Sequence, residues 1–211
     1  PCWGACRAFA IACPDTQKGN RDRMIMILLY DTAIRIAELL ELKISSLKLT
    51  SVPSIHIHGK GDKERSVSIT DATVSHLKKY LRQFHPEMLP DQPLFYTKIK
   101  GSIAPMSPGN VSRIINKYAD AIRSEHPNLP KHLHCHMFRR TRATGLYRNG
   151  VELEMISVIL GHSSTETTRI YATPSIEMLE EAMNTGNSTI PDETPEWEEN
   201  EDELARICGL R

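Results

Sequence analysis

The chain has 211 residues, with 26 Lys and Arg against 26 Asp and Glu, which is length enough for one ample core and a tail. The zero net charge conceals a polarity: residues 186–211 hold eight acids and two bases, so residues 1–185 carry a net +6, a balance that fits a polyanionic partner. No apolar run reaches the ~18 residues of a membrane span, no secretory leader is visible, and five scattered cysteines are odd in number, which argues against a disulfide framework and for reduced thiols in a cytoplasmic setting.

In chain order, residues 1–20 read as a short helix to Ala12 followed by a loop, an N-terminal linker remnant before a body at 21–185. With Pro1 rather than Met first, a fragment or a processed piece is expected. Met24, Ile25, Ile27 and Leu28 predict a helix from Asp22 to Tyr30, and Asp31, Thr32 and Ala33 interrupt it. A second helix runs from Ile36 to Lys43, with Arg35 at the junction, where a long cation can leave the core. Leu47 to Thr50 reads as a strand. Ile55 and Ile57 alternate with His56 and His58, Gly59 to Asp62 is a turn signal, and Ser66 to Ile69 alternates again, so a β-hairpin is expected with Lys60 at its tip. Thr70 and Asp71 open a helix to about Phe84. Leu94 to Thr97 is short and extended, Lys98 to Pro108 is a loop, and Asn110 to His126 is a helix.

The densest stretch lies between His134 and Tyr171. Phe138, Thr141, Gly145 and Leu146 recur at helical spacing, and Gly150 stops that helix. His136 and Arg139 are three apart, so a helix points both the same way. Val151 to Leu160 forms the next amphipathic helix, ended by Gly161. Ser163 and Glu166 have capping-box spacing for a short third one near Tyr171. Ser175 to Met183 is helical, Asn184 to Pro195 a polar linker, and Glu198 to Cys208 an acidic helix with Leu204 and Ile207 as candidate anchors on a neighbouring subunit. The fold class expected is mainly α with a small antiparallel β-sheet.

Four motifs in order, LLYDTAIRIAELLELK, GKGDKERSVSI, HMFRRTRATGLYRNG and LGHSSTETTRIYA, resemble the catalytic domain of the tyrosine recombinases, the phage and transposon integrase family. The resemblance covers roughly residues 20–175 and places an active site on Arg35, Lys60, His136, Arg139, His162 and Tyr171, with Glu38 in support. It implies a site-specific recombinase that cleaves and rejoins double-stranded DNA through a 3′-phosphotyrosine, without cofactor, as a dimer to tetramer on DNA.

The residue types suit that chemistry. A phenol is a weak nucleophile at neutral pH until cations favour its phenolate. Two guanidinium forks can hold the non-bridging phosphate oxygens, His162 can donate a further bond, His136 can relay a proton, and Lys60 can protonate the departing 5′ oxygen. Lys63, Arg65, Arg140 and Arg142 are expected to meet DNA, at the phosphate backbone more than at bases. Two histidine groups, His132–His134–Cys135–His136 and His56–His58, invite a metal, but neither has the paired C-x-x-C spacing of a structural zinc site, so none is expected. Ala33 stands where the family usually has glycine, and Arg140 where it often has histidine. Two alternatives remain open: a type IB topoisomerase that relaxes supercoils, and a DNA-binding module without activity.

Overall fold

A computed structural model describes residues 8–59, 63–99, 101–162 and 165–171, together with the single positions 174, 176, 178 and 180. The chain divides into two compact units, Pro1–Thr173 and Pro174–Arg211. In the second, Ile176, Met178 and Glu180 are helical, while the linker and acidic helix expected beyond them lie outside the described residues, as does Lys60.

The first unit is helical with two small antiparallel sheets. Residues 8–12 are helical (α1), and Gln17–Asp31 (α2) follows. The Thr16 hydroxyl caps α2 by accepting from the Gly19 amide, so this helix begins five residues before Asp22. Gly19 belongs there for want of space: a Cβ would stand 2.0 Å from the Pro14 carbonyl oxygen. Ile36–Glu41 (α3) leads through a 3₁₀ turn, Ile44–Ser46, into a three-stranded meander of Leu47–Lys48 (β1), Ser54–Gly59 (β2) and Lys63–Ser68 (β3). The β2–β3 register pairs Ile57 with Arg65, His58 with Glu64 and Gly59 with Lys63. The hairpin expected around residue 60 is therefore formed on both its flanks.

Asp71–Phe84 (α4) is capped by the Thr70 hydroxyl, as its sequence implies. Tyr96–Ile99 (β4) and Ser102–Pro105 (β5) make a second hairpin across a stretch expected to be loop. Pro108–Ile122 (α5) has Ser107 as its cap and proline at its first turn. Cys135–Arg148 (α6), Leu153–Leu160 (α7) and the single turn Glu166–Arg169 (α8) complete the unit. No helix of the described residues is long and apolar enough to cross a membrane.

Packing divides into two clusters. The larger holds Met24, Ile25, Leu28 and Leu29 of α2, Ile55 and Ile57 of β2, Leu77 and Tyr80 of α4, Ile115 of α5 and Phe138 of α6. Phe9 and Cys13 are buried in it as well, with the Phe9 ring against Phe138, so the body's packing starts ahead of residue 21. The smaller cluster joins Ala33, Ala143, Ile156, Leu160 and Tyr171. Helix α6 feeds both, Phe138 to one and Ala143 to the other.

Candidate active site

The turn between α2 and α3 fixes the first group. The Thr32 hydroxyl donates to the Leu28 carbonyl at 2.7 Å and accepts from the Ile34 amide at 3.3 Å. Ala33 takes φ +51°, in the left-handed region that a non-glycine residue enters at a cost of about 1 kcal/mol. Arg35, at the start of α3, donates from its amide and its guanidinium to the Glu38 carboxylate at 3.0 and 2.9 Å. Glu38 is buried, and it is held from the other side by Arg65, whose two terminal nitrogens donate to it at 3.1 and 2.8 Å.

The place of Arg65 follows from strand register. Cross-strand partners share a face, and Arg65 pairs with the fully buried Ile57. It therefore points inward rather than toward solvent, and its Nε donates to the Ile159 carbonyl at 3.3 Å. Gly161, with φ +64°, caps α7 beside it, and a Cβ at that position would lie 2.9 Å from an Arg65 nitrogen. Sequence reasoning placed Arg65 on DNA; in the structure its guanidinium orients Glu38, which in turn orients Arg35.

Arg139 is 1% exposed, an unusual burial for a guanidinium with no carboxylate bonded to it among the described residues. It donates to the Ala33 carbonyl at 2.7 Å and the Leu160 carbonyl at 2.6 Å. The helix α6 thus places one cation between the strained turn and the end of α7. Two of its five N–H bonds are spent there, and its Nε has no acceptor among the described residues. Burial first, and then the neighbouring Arg35, lower its pKa to about 10, so it remains a cation at neutral pH.

His136, one turn earlier on α6, is exposed, and its Nε2 lies 3.4 Å from the Tyr171 hydroxyl. The Tyr171 ring is 4% exposed and stacks with His162 at 6.2 Å between centroids. His162 Nδ1 lies 2.9 Å from the hydroxyl of the buried Thr168. When that hydroxyl donates to Nδ1, the ring proton sits on Nε2, where the imidazole can donate outward. Thr168, which the sequence reading does not include, is the side chain that meets His162 Nδ1. It lies six residues beyond His162 within a single helical turn, a spacing that matches no motif.

Five of the six expected catalytic residues therefore share one locality: Arg35, His136, Arg139, His162 and Tyr171. Lys60 lies outside the described residues. Of the four expected at DNA, Arg140 is exposed beside His136, Lys63 begins β3, and Arg142 turns back to Asp31 at 3.4 Å with its guanidinium over the Tyr30 ring.

The crowd of cations sets the protonation of its neighbours. Burial, then Arg139 and Arg35, press the His162 pKa down to about 4, and the same causes together with Arg140 lower that of His136. Burial alone would raise Glu38, but its bonds from Arg65 and Arg35 outweigh this and hold it at about 2. An unfolded chain would protonate these imidazoles near 6.5, so between 6.5 and 4 the unfolded state binds protons that the native site refuses. Stability should accordingly fall as pH drops through that window, with a further loss from 4.5 toward 2 as Glu38 is protonated. Thermal melts from neutral to acid pH check this. His162→Asn should flatten the upper part of the curve, and a melting temperature constant from pH 6.5 to 4 would contradict the assignment.

A family model described as the phage integrase family matches residues 7–178. A tyrosine recombinase of Agathobacter rectalis is 40% identical over 158 residues, covering 74% of this chain and 49% of that protein. A tyrosine recombinase XerC of Staphylococcus haemolyticus is 32% identical over 174 residues, covering 81% and 55%. The chain spans about half the length of the curated relatives it matches. Among solved structures, the XerH site-specific recombinase in a post-cleavage complex with its palindromic difH substrate superposes with a TM-score of 0.69 at 26% identity, over 87% of this chain and 52% of that one. The XerA recombinase superposes with a TM-score of 0.69 at 27% identity, over 88% and 62%.

Proposed function

The chain belongs to the phage integrase family, and from that premise we propose that it is the strand-cleaving and strand-joining part of a site-specific DNA recombinase or integrase. One observation carries the reading: the Tyr171 hydroxyl stands 3.4 Å from His136 Nε2, beside the buried cation Arg139 and within the field of Arg35.

Tyr171 Oη attacks the phosphorus of a DNA phosphodiester, and its proton passes to neutral His136 Nε2. The bond from phosphorus to the 5′ oxygen breaks, and Lys60 supplies the proton that leaves with it. The remaining N–H groups of Arg139, the fork of Arg35 and the Nε2–H of His162 meet the negative charge that builds on the non-bridging oxygens. A 3′-phosphotyrosine conserves the bond energy, and a 5′-hydroxyl from another strand reverses the step. Fixed side-chain donors supply the charge the transition state needs, so the scheme calls on no cofactor and no ATP. Double-stranded DNA is the substrate, and joining two sites calls for two to four copies of the protein on it.

The test uses a pool of nicked duplexes with randomised flanks. Cleavage next to a nick frees a short strand that diffuses away and traps the intermediate. A protein–DNA adduct stable to denaturant, mapping to the peptide that contains Tyr171, is expected. No adduct, or one on another residue, would overturn the reading. Duplexes selected this way then separate the alternatives, because a recombinase joins two of them whereas a type IB topoisomerase only relaxes supercoils.

Binding itself should be strongly dependent on salt, since each phosphate contact adds about 0.9 to the slope of log affinity against log salt. Arg140→Ala should lower that slope by about 1. Filter-binding titrations across a salt series measure it, and an unchanged slope would remove Arg140 from the DNA surface.

A further inference from the structure

The outer face of the β2–β3 hairpin carries a group that strand cleavage does not use. Register places His58 opposite Glu64 and His56 opposite Ser66. Alternation along β2 turns both histidines away from the buried Ile55 and Ile57. His56 Nε2 lies 3.3 Å from one Glu64 oxygen and His58 Nδ1 lies 3.0 Å from the other. One donor atom from each of the three residues falls within 4.8 Å of the other two.

We propose that His56, His58 and Glu64 form a binding site for a late first-row divalent metal ion, with zinc as its representative. Two imidazoles and a carboxylate are a common donor set for such ions, and the remaining positions would be filled by water. Around a tetrahedral ion with bonds of ~2.0 Å, neighbouring donors stand about 3.3 Å apart, so one donor atom from each residue, all within 4.8 Å of one another, must draw in by about an ångström or more to hold it. Side-chain exposures of 41% for His56, 60% for His58 and 52% for Glu64 leave the group open to solvent and free to close by small rotations. The second ring nitrogen of His56 is already engaged, 3.3 Å from the Ser66 hydroxyl. Such an outer partner fixes which nitrogen faces the ion. Without metal, the same side chains make ordinary imidazole–carboxylate contacts.

The position gives the site a consequence. His58 and Glu64 form the register pair next to Gly59 and Lys63, and these flank the connection that holds Lys60. A bound ion would tie the two strands at the neck of that connection. This follows from the register alone and does not depend on the recombinase reading.

The experiment is a zinc titration of the full chain against a chromogenic chelator, comparing wild type with the His56→Gln/His58→Gln double variant and with Glu64→Gln. All three positions are solvent-accessible, so the variants should fold, and melting temperatures confirm it. Thiols are identical in every protein, so any zinc they take cancels in the comparison. The wild type should bind one equivalent more than the double variant, and Glu64→Gln should weaken that equivalent at least tenfold. As a local readout, Cu²⁺ should broaden the amide resonances of Ile57 and Arg65 in the wild type and not in the double variant. Equal stoichiometry in wild type and double variant, or broadening that survives loss of both histidines, would overturn the proposal.

Discussion

Tyr171→Phe is expected to abolish the denaturant-stable adduct while leaving the protein folded and able to bind DNA. The substitution removes one oxygen. Among the described residues its hydrogen-bond partner is His136 Nε2, at a long 3.4 Å, so stability should change by no more than about 1 kcal/mol. The ring keeps its packing against Ala33, Ala143, Ile156 and Leu160. Phenylalanine, however, has no atom with which to form the phosphotyrosine bond. Loss of the nucleophile should therefore slow cleavage by on the order of 10⁴-fold or more. Adduct yield on nicked duplex, read beside DNA affinity and a melting curve, separates the two effects. Equal adduct in both proteins would show that another side chain attacks, whereas loss of affinity in step with activity would show that the hydroxyl serves binding instead.

The second large effect is expected at Arg139. Lysine keeps the charge but offers a single nitrogen where the guanidinium bridges two carbonyls, Ala33 at 2.7 Å and Leu160 at 2.6 Å. One carbonyl is then left unpaired in a buried place, a loss of about 1–3 kcal/mol in stability. The fork toward phosphate is lost as well, which should slow adduct formation by about 10²–10³-fold. Arg139→Ala should lose both functions more fully, because the Ala33 and Leu160 carbonyls both then lose the donor that joins them. Arg139→Lys is the informative variant: a rate that falls while the protein still melts cooperatively above the assay temperature separates the chemical role from the architectural one. An unchanged rate would remove Arg139 from the reaction.

Much of this arrangement is legible in the residues because it rests on local signals. Thr70 as a cap, glycine in the left-handed cap of α7, and the alternation of Ile55 and Ile57 each fix an element through its immediate neighbours. What stayed hidden depends on close approach and pairing that residue type alone does not announce. The start of α2 looks like polar loop, QKGN, because the reason for Gly19 is the carbonyl of Pro14 and that for Asn20 is a bond to Gln83, 63 residues on. The β4–β5 hairpin lacks a clear apolar alternation, and pairing between its own two strands holds it. Arg65 resembles a surface cation until the register with Ile57 is known. Counted by twos from the buried Val67, it falls on the inward face, a cue carried by the alternation of β3 itself. In the site, the residue types carry the chemistry and the alternation of β3 carries the inward turn of Arg65, but the hydroxyl of Thr168 beside His162 emerges only once the chain is folded.

Tyr171 sits in the lesser of the two apolar clusters, with four other buried side chains among the described residues, whereas Phe138, five residues before Ala143 on α6, is anchored in the greater one. Native proteins open region by region, and a small satellite of packing opens at far lower free energy than the whole. Tyr171, the proposed nucleophile, can therefore leave its seat while the Arg35–Glu38–Arg65 chain of ion pairs stays assembled on α3 and β3. The energy of unseating it is set by a handful of contacts near Ala33, whose own backbone is strained, so substitutions in that corner should tune how readily the blade is drawn without dulling the grip.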